Sequence, residues 1–411
     1  MNYVIIGNSA AAVGCIEGIR QVDRDGGITV IGSEKHHVYS RPLISYLLCG
    51  KTDTERMKYR GDSFYADNGV ELLSGQTVVG IDTAAKTVTT DGGKTVPYDR
   101  LLVATGSKPF VPPMKNLEKV KNKFTFMSLD SAQALDAALT KDSRVLIIGA
   151  GLIGLKCAEG IYGKCGKITV VDLADRILPS ILDEDASGIM REYLEEKGIK
   201  FILSDSVSEF EDGTAHLNSG GTVDFDAVVI AVGVRPETAL AAEAGAEINR
   251  GIVTDLHCRT TVPDIYAAGD CATSLDVTTD TERVLALLPN AYMQGECAGI
   301  NMAGGEKLYD FAIPMNAIGF FGYHIISAGS YDGEEYVKKD GRNYKKLVTR
   351  DGVLKGFILM GDVKRAGIYT SLVRSRKPLD EIDFELIKKK PQLMAFTRSE
   401  RREKLGTAQH K

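Results

Sequence analysis

Short runs of β-branched residues recur along the chain, each turning through glycine or a small residue into a stretch rich in Ala and Gly. Val4-Ile5-Ile6 leads into Gly7-Asn8-Ser9-Ala10-Ala11-Ala12. Val145-Leu146-Ile147-Ile148 leads into Gly149-Ala150-Gly151-Leu152-Ile153-Gly154, 142 residues later. The pattern predicts strand 3–7, a helix over about 10–22 and strand 28–32, then a second set of strand 144–148, helix 152–163 and strand 167–172, with a further helix near 183–197. Positions 70–103 and 200–225 alternate as small β-meanders do, with Asp91-Gly92-Gly93 as a hairpin turn. Each set closes on a buried strand entering a small-residue turn, Leu101-Leu102-Val103-Ala104-Thr105-Gly106-Ser107 in the first and Ala227-Val228-Val229-Ile230-Ala231-Val232-Gly233-Val234-Arg235-Pro236 in the second. Shared openings and closings make this an internal repeat.

Pro109, Pro112 and Pro113 separate the two sets. Beyond the second come Pro263-Asp264-Ile265-Tyr266-Ala267-Ala268-Gly269-Asp270 and a helix of about 289–304 with Pro289 at its start. Antiparallel strands are then expected at 315–321, 324–329, 343–349 and 353–361, all within a β-rich stretch over 310–375. From Leu386 the chain is basic, with Lys388, Lys389, Lys390, Arg398, Arg401, Arg402, Lys404 and Lys411 against Glu400 and Glu403. The expected fold is α/β: two Rossmann-like dinucleotide-binding domains of the three-layer ββα type, plus a small α+β C-terminal domain. The expected divisions are 1–110 with 236–307, 111–235, 308–385, and a basic tail over 386–411.

A strand–turn–helix of this kind receives a pyrophosphate at the helix N-terminus. In the first loop Gly7 permits the tight turn, Ser9 is small enough for phosphate to approach, and Ala10, Ala11 and Ala12 let helix and strand pack closely. Glu34, 27 residues after Gly7, can accept hydrogen bonds from both hydroxyls of an adenosine ribose. In the second loop Gly149, Gly151 and Gly154 are intact, flanking Leu152 and Ile153, and Asp172 follows Gly149 by 23 residues. A carboxylate there favours a free 2′-hydroxyl and repels a 2′-phosphate, so NADH is expected over NADPH. Val78, Gly233 and Gly269 complete the expected cofactor-binding positions, with Asp270 reaching a ligand hydroxyl. The helix at Pro289 points its positive end at the negative charge of a reduced flavin. Two dinucleotides in one protein imply flavin beside nicotinamide, hence FAD and NAD.

Composition narrows the classes. The formal net charge of -5 argues against general nucleic-acid binding. The first strand leaves no room for a signal peptide, and no apolar run reaches the roughly 18 residues of a membrane span, so a soluble cytoplasmic protein is expected. The seven cysteines, Cys15, Cys49, Cys157, Cys165, Cys258, Cys271 and Cys297, show neither C-x-x-C nor C-x-x-x-x-C spacing. They read as ordinary reduced, mostly buried thiols. His36 and His37 lack partners at ligand spacing and read as a solvated loop; His324 reads as structural; no metal site is expected.

These motifs, together with Ala104-Thr105-Gly106 and Ala267–Asp270, resemble the pyridine nucleotide–disulfide oxidoreductase superfamily over residues 1–305. The resemblance implies an FAD domain made of two separated segments with the NAD domain inserted between them. It also implies that Arg41 and Pro42 line the FAD and that Thr105 and Gly106 cross over it. Disulfide reductases of the superfamily carry a redox cysteine pair near Val38-Tyr39-Ser40-Arg41-Pro42-Leu43-Ile44-Ser45; this chain has none there, and Cys49 comes later without a second thiol. The stretch is similar to NADH:rubredoxin reductases, to the flavin half of NADH-dependent nitrite reductases, and to flavoprotein subunits that link ferredoxin-type 2-oxoacid dehydrogenases to NAD. Tyr344–Leu347 and Gly356–Asp362 are similar to their C-terminal domain. Many relatives have Glu where this chain has Lys156, and some have Lys at Tyr46, so a Lys–Glu pair that helps position the nicotinamide is altered.

The resemblance implies an FAD-dependent NAD(P)H oxidoreductase without an active-site disulfide. It would pass electrons between NADH and rubredoxin or a ferredoxin-like iron–sulfur subunit in either direction, as a homodimer or as part of a larger redox complex. The alternatives are an NADH oxidase or peroxidase-like flavoenzyme and a flavin-based redox-sensing protein. The basic tail is expected either to dock an acidic partner or to be solvated.

Overall fold

The computed structural model describes residues 1–406. Strand Asn2–Ile6 pairs in parallel with Gly27–Gly32 on one side and Arg100–Val103 on the other. Val70–Ser74 extends the sheet beyond Gly27–Gly32, and Ile265–Ala267 extends it beyond Arg100–Val103. Five parallel strands result, and their near-continuous apolar runs are what burial on both faces requires. The second sheet repeats the plan with Lys200–Ile202, Lys167–Val171, Arg144–Ile148, Ala227–Ile230 and Lys123–Phe124 side by side, again all parallel.

A three-stranded antiparallel meander precedes the closing strand of each sheet: Val78–Asp82, Thr87–Thr90 and Thr95–Pro97 in the first, Val207–Glu211, Thr214–Leu217 and Thr222–Asp224 in the second. Val78, Val88 and Val96 pack on Val4, Ile6, Leu101 and Val103; Val207, Phe210 and Leu217 pack on Leu146, Ile148 and Val228. The repeat departs from itself at one place. The fifth strand of the first sheet comes from late in the chain, at 265–267, whereas that of the second comes from just before it, at 123–124. This is the topological reason the first half is assembled from two separated segments.

That late segment continues into helix Leu288–Met302, which lies parallel to helix Ala10–Val22 with the backbones touching. A Cβ at Gly14 would stand 2.1 Å from the Tyr292 carbonyl oxygen, and one at Gly295 would stand 2.1 Å from that of Ala11. Gly18 meets Glu296 and Gly299 meets Cys15 in the same way. Small residues at these four positions bring the two helix N-termini side by side.

The chain divides into two units, one of Met1–Ser274 with Arg283–Tyr309, the other of Leu275–Glu282 with the chain from Asp310. In the second unit, Met315–Phe320, Tyr323–Gly329, Val353–Met360, Asn343–Arg350 and Glu334–Asp340 form an antiparallel sheet in that order. Two of its elements within 310–375 were not foreseen. Glu334–Asp340 is an edge strand, and its exposed Glu and Lys positions hide the strand pattern. Ala366–Ser375 is a helix despite its Ile, Tyr, Thr and Val, because Ala366, Tyr369, Thr370 and Val373 fall on one buried face. Tyr369 packs on Phe357 of the sheet at 5.5 Å between ring centroids.

The basic stretch is not a free tail. Phe384–Lys389 and Arg398–Gly406 are helices, and Ile387, Ala395 and Phe396 join the core of the second unit. Lys389, Lys390, Arg398 and Arg402 remain exposed; Lys411 lies outside the described residues. Cutting the chain after Pro391 would therefore remove core as well as charge. Among the described residues no helix is long and apolar enough to cross a membrane, and no cluster of His, Cys, Asp and Glu could hold a metal ion.

Candidate functional site

Both loops have the same backbone geometry. Gly7 and Gly149 each sit at φ +112°, a conformation that L side chains avoid. A Cβ at Gly7 would lie 2.1 Å from the Ala104 carbonyl oxygen, and one at Gly149 would lie 2.3 Å from that of Ala231. Each first glycine thus lets the loop pass against the end of its closing strand. A Cβ on Gly154 would meet the Gly149 carbonyl oxygen at 2.0 Å, which fixes how closely helix Leu152–Ile161 approaches its strand, whereas Gly151 faces open space. Ser9 and Gly151 are the N-caps of the two helices, and neither provides a side-chain cap. Helix Leu288–Met302, with Pro289 in its first turn, has no side-chain cap either. Three helix N-termini therefore present backbone N–H groups that the capping side chains of an ordinary helix would have satisfied. The first and third lie together, meeting at Gly269: a Cβ there would come within 3.2 Å of Ala11 Cβ and 3.6 Å of Ala291 Cβ. Two aligned positive helix ends at one place form a site for negative charge.

The three acids divide by environment. Glu34 is bracketed by Arg41, whose Nη2 donates to Oε1, and by Tyr39, whose hydroxyl donates to Oε2 at 2.6 Å. Arg41 also donates to the Met127 carbonyl at 3.0 Å, and the Leu129 amide donates to Tyr39 at 2.9 Å. Each Glu34 oxygen keeps one further acceptor site, so a pair of ribose hydroxyls can still be received. Asp172 mirrors this: Oδ2 accepts from the Ala150 amide inside the second loop at 2.5 Å, and Oδ1 accepts from the Ala174 amide at 2.7 Å. Asp270 accepts from Ser107 Oγ at 3.3 Å. Burial pushes its carboxyl above the usual range, opposed by the Ser107 hydrogen bond and the nearby Arg41 charge.

A two-stranded ribbon links the closing turns of the repeats. Ser107–Pro109 runs antiparallel to Val234–Pro236, the Arg235 guanidinium lies 3.9 Å from the centre of the Phe110 ring, and Thr105 Oγ1 donates to the Glu237 carbonyl at 2.6 Å. Gly106 and Gly233, at φ +71° and +120°, make the turns. Arg41–Leu43 is a single 3-10 turn running into helix Ile44–Leu48, and Cys49 closes that helix with its thiol on the Tyr46 carbonyl. All seven cysteines are free.

Gly7, Ser9, Ala10, Ala11, Gly269, Asp270 and Pro289 are thus gathered around one pair of helix ends. Glu34, Arg41 and Pro42 lie beyond the first loop; Ala104, Thr105 and Gly106 lie at the end of the closing strand. Gly149, Gly151, Leu152, Ile153, Gly154 and Asp172 form the second loop, with Gly233 at its closing turn. Val78 is buried, its side chain in the core of the first sheet. His36 is not merely solvated: its Nε2 pairs with Asp130 at 2.6 Å, while His37 packs edge-on against Tyr65.

Three contributors were missed. Tyr39 holds Glu34. Gln294, buried on helix Leu288–Met302, accepts from the Gly269 amide at 2.9 Å and donates to the Thr273 carbonyl at 2.8 Å. Glu159, buried on helix Leu152–Ile161, pairs with Lys156 and Lys51. A polar residue next to glycine on an otherwise apolar helix face was the available signal for the last two. The altered Lys–Glu pair is resolved here: Lys156 turns to Glu159 one helical turn on, with its ammonium 4.3 Å from the centre of the Tyr46 ring.

Comparisons with known proteins agree with this geometry. Residues 1–295 match the model of the pyridine nucleotide-disulphide oxidoreductase family, and residues 314–377 match that of the rubredoxin NAD+ reductase C-terminal domain. The chain is 32% identical to a nitrite reductase [NAD(P)H] of Bacillus subtilis over 92% of its length, spanning 48% of that protein. It is also 32% identical to the NADH-dependent phenylglyoxylate dehydrogenase subunit epsilon of Aromatoleum evansii, over 92% of each chain. Among solved structures, a ferredoxin reductase of the CYP199A2 system from Rhodopseudomonas palustris superposes with a TM-score of 0.85 at 25% identity, over 92% of this chain and 95% of that one. With uncapped loops shaped for two FAD- and NAD(P)-type dinucleotides and a family match over most of its length, this chain belongs to the pyridine nucleotide-disulphide oxidoreductases.

Proposed function

We propose that the protein is an FAD-dependent NADH oxidoreductase that exchanges electrons with a small iron–sulfur protein of the rubredoxin or ferredoxin kind, with no thiol relay. The carrying observation is the pair of cradles, each with a left-handed glycine and an uncapped helix, in a chain whose 40–45 stretch holds no cysteine. In this reading residues 1–110 and 236–307 hold FAD, and residues 111–235 hold NAD. Gly7, Ser9, Ala10 and Ala11 would receive the FAD pyrophosphate, Glu34 the adenosine ribose, and Asp270 the ribitol chain. Arg41, Pro42, Thr105 and Gly106 would flank FAD, and the N-terminus at Pro289 would favour its reduced, negative form. Gly149–Gly154 and Asp172 would hold NAD. Bound FAD converts a hydride, which carries two electrons, into single electrons. The residues of this chain contribute placement and the exclusion of water. The names of the relatives support the partner class: a rubredoxin reductase C-terminal domain, a ferredoxin reductase and an NADH-linked dehydrogenase subunit. A cytoplasmic location, where free thiols stay reduced, goes with this reading.

Rapid mixing tests it. NADH should bleach the flavin within the turnover time, and reduced protein should then transfer electrons to rubredoxin or ferredoxin far faster than to oxygen. Slow bleaching with a persistent flavin–NAD complex would favour a sensor; rapid reoxidation by oxygen alone would favour an oxidase. Partner docking through the exposed Lys389, Lys390, Arg398 and Arg402 requires this transfer to slow with added salt.

Two substitutions probe the acids. Asp172→Asn keeps an acceptor for the Ala150 amide but removes the charge facing a 2′-phosphate. The ratio of kcat/KM for NADH over NADPH should fall by about tenfold, roughly 1.4 kcal/mol. At Asp270 the folded carboxyl titrates above its unfolded value of about 3.9. The folded apoprotein therefore keeps a proton that the unfolded chain has released, and its stability falls as pH rises from about 4 through the raised value. Asp270→Asn should abolish that fall in denaturant midpoints and weaken FAD binding by roughly 1.5–3 kcal/mol, the worth of a charged hydrogen bond.

A further inference from the structure

Cys258 and Cys297 are buried on facing segments: the Cys258 thiol donates to the carbonyl of Gln294, three residues before Cys297 on its helix, at 3.5 Å, and the Cys297 thiol donates to the carbonyl of Leu256, two residues before Cys258, at 3.7 Å. Cys258 is held on both sides in a left-handed turn at φ +64°, its amide donating to the Asp255 carbonyl at 2.9 Å and its carbonyl accepting from the Ala267 amide at 3.1 Å. A non-glycine residue is strained there, yet the turn aims this thiol at helix Leu288–Met302, where Cys297 sits. The Cys297 sulfur accepts from Asn301 Nδ2 at 3.4 Å and donates to the Lys307 carbonyl at 3.2 Å. Asn301 is itself fixed, its Oδ1 accepting from the Lys307 amide at 2.8 Å. An amide donor on a sulfur favours its thiolate; the Lys307 ammonium, paired with Glu296 at 2.6 Å, adds positive charge nearby. The Cys258 hydrogen bond, Lys307 and Asn301 draw the Cys297 thiol below the ordinary cysteine range against the opposing effect of burial, while burial pushes Cys15, Cys157, Cys258 and Cys271 up. The pair lies just under the surface, since Leu256, two residues before Cys258, and Leu308, which follows the Lys307 carbonyl that meets the Cys297 thiol, are 38% and 45% exposed.

We propose that Cys258 and Cys297 form a reversible disulfide site, closed by hydrogen peroxide and reopened by a dithiol. The Cys297 thiolate attacks one peroxide oxygen; the O–O bond breaks and hydroxide leaves, placing an OH on sulfur. The Cys258 sulfur gives up its proton and attacks the Cys297 sulfur; the S–O bond breaks and the OH departs with a proton as water. In sum, two thiols and one peroxide give one disulfide and two waters: the sulfurs lose two electrons and the peroxide gains them. The bond ties the turn at Cys258 to the helix that carries Gln294, and closes a loop of about forty residues in the unfolded chain. The assignment is independent of which protein accepts electrons.

The test exposes holoprotein to peroxide in steps from one to ten equivalents, blocks remaining thiols by alkylation, and maps peptides by mass spectrometry without reduction. The expected first product is a peptide pair joined through Cys258 and Cys297, with two of seven thiols lost, a melting temperature raised by several degrees, and full recovery in dithiothreitol. In Cys258→Ser, Cys297 should stop at a singly oxidised sulfur; in Cys297→Ser, Cys258 should stay reduced. Absence of the joined peptide in the unsubstituted protein overturns the proposal, whether the thiols remain intact, Cys297 goes on alone to the sulfinic acid, or a different pair is joined.

Discussion

The Gly295→Val variant is expected to purify colourless, with a first unit destabilised by at least about 3 kcal/mol, the upper range for overpacking. The position faces backbone, not side chain. A Cβ at Gly295 would be 2.1 Å from the Ala11 carbonyl oxygen and 2.8 Å from its carbon. Neither atom can rotate away, so helices Ala10–Val22 and Leu288–Met302 must part by about 1 Å or more to restore van der Waals distance. Separating them also pulls their N-termini away from Gly269, which rests on Ala11 and Ala291 and is tied to the second helix through Gln294. In the proposed reading the negative groups of FAD lie at that convergence. FAD affinity should therefore fall at least about a hundredfold, near 2.7 kcal/mol, measured by flavin fluorescence on dialysis and by denaturant titration of the apoprotein. Gly188→Ala supplies the contrast. Gly188 lies in helix Glu184–Glu195 with nothing within 4 Å of an added Cβ, so that variant should gain up to about 1 kcal/mol and stay yellow. Equal losses in both variants would mean that helix glycines are merely intolerant of substitution, and that the close approach has no special role.

The convergence of those helices explains what could and could not be read from residue order. Both loops were legible because a β-branched run, a left-handed glycine and a small-residue helix are local requirements. Strand Arg144–Ile148 appears where its apolar run predicts it, and Ala10–Val22 is a helix over the expected residues. That helix 288–302 lies beside helix 10–22 was not legible. Gly14, Gly18, Gly295 and Gly299 record the contact, but each reads as an ordinary glycine until the partner helix is known. Side-chain partnerships across distant segments were hidden for the same reason. Glu34 and Asp172 were read as free acceptors, and the structure already commits both to protein donors, Arg41 and Tyr39 for one and the loop amide of Ala150 for the other. Charge also misled. The basic stretch beyond Leu386 looked like a detached tail because its eight lysines and arginines face only two acids, yet Ile387, Ala395 and Phe396 are buried in the second core.

Glu159→Ala is the second substitution with a large expected effect, a loss of about 3–5 kcal/mol in the first unit. The Glu159 side chain is 3% exposed and takes ammonium groups from two directions, Lys156 on its own helix and Lys51 at 3.2 Å. Both ammoniums also lie on the Tyr46 ring, at 4.3 and 5.3 Å from its centre. The carboxylate thereby fastens helix Leu152–Ile161, whose N-terminus is the second loop, to helix Ile44–Leu48, which extends the Arg41–Pro42 turn. At the same contact a Cβ on Gly160 would stand 3.1 Å from the Ser45 carbonyl oxygen. Removing the carboxylate leaves the 14%-exposed Lys156 charge without its buried counter-ion and opens a cavity between the helices. Glu159→Gln retains shape and one acceptor, so it should lose less, about 1–3 kcal/mol. Replacing Lys156 by Met in the Glu159→Gln background should restore part of that loss, because a well-packed apolar side chain no longer needs the counter-charge. Denaturant midpoints of the three variants give the comparison. If the double variant were no more stable than Glu159→Gln alone, the coupling between the two residues would be absent, and burial of the carboxylate would have to be stabilised by other neighbours. Since the second loop moves with its helix, the Glu159→Ala protein should also show a raised KM for NADH, while its FAD content, which the proposed reading assigns to the other pair of helices, stays at the unsubstituted level.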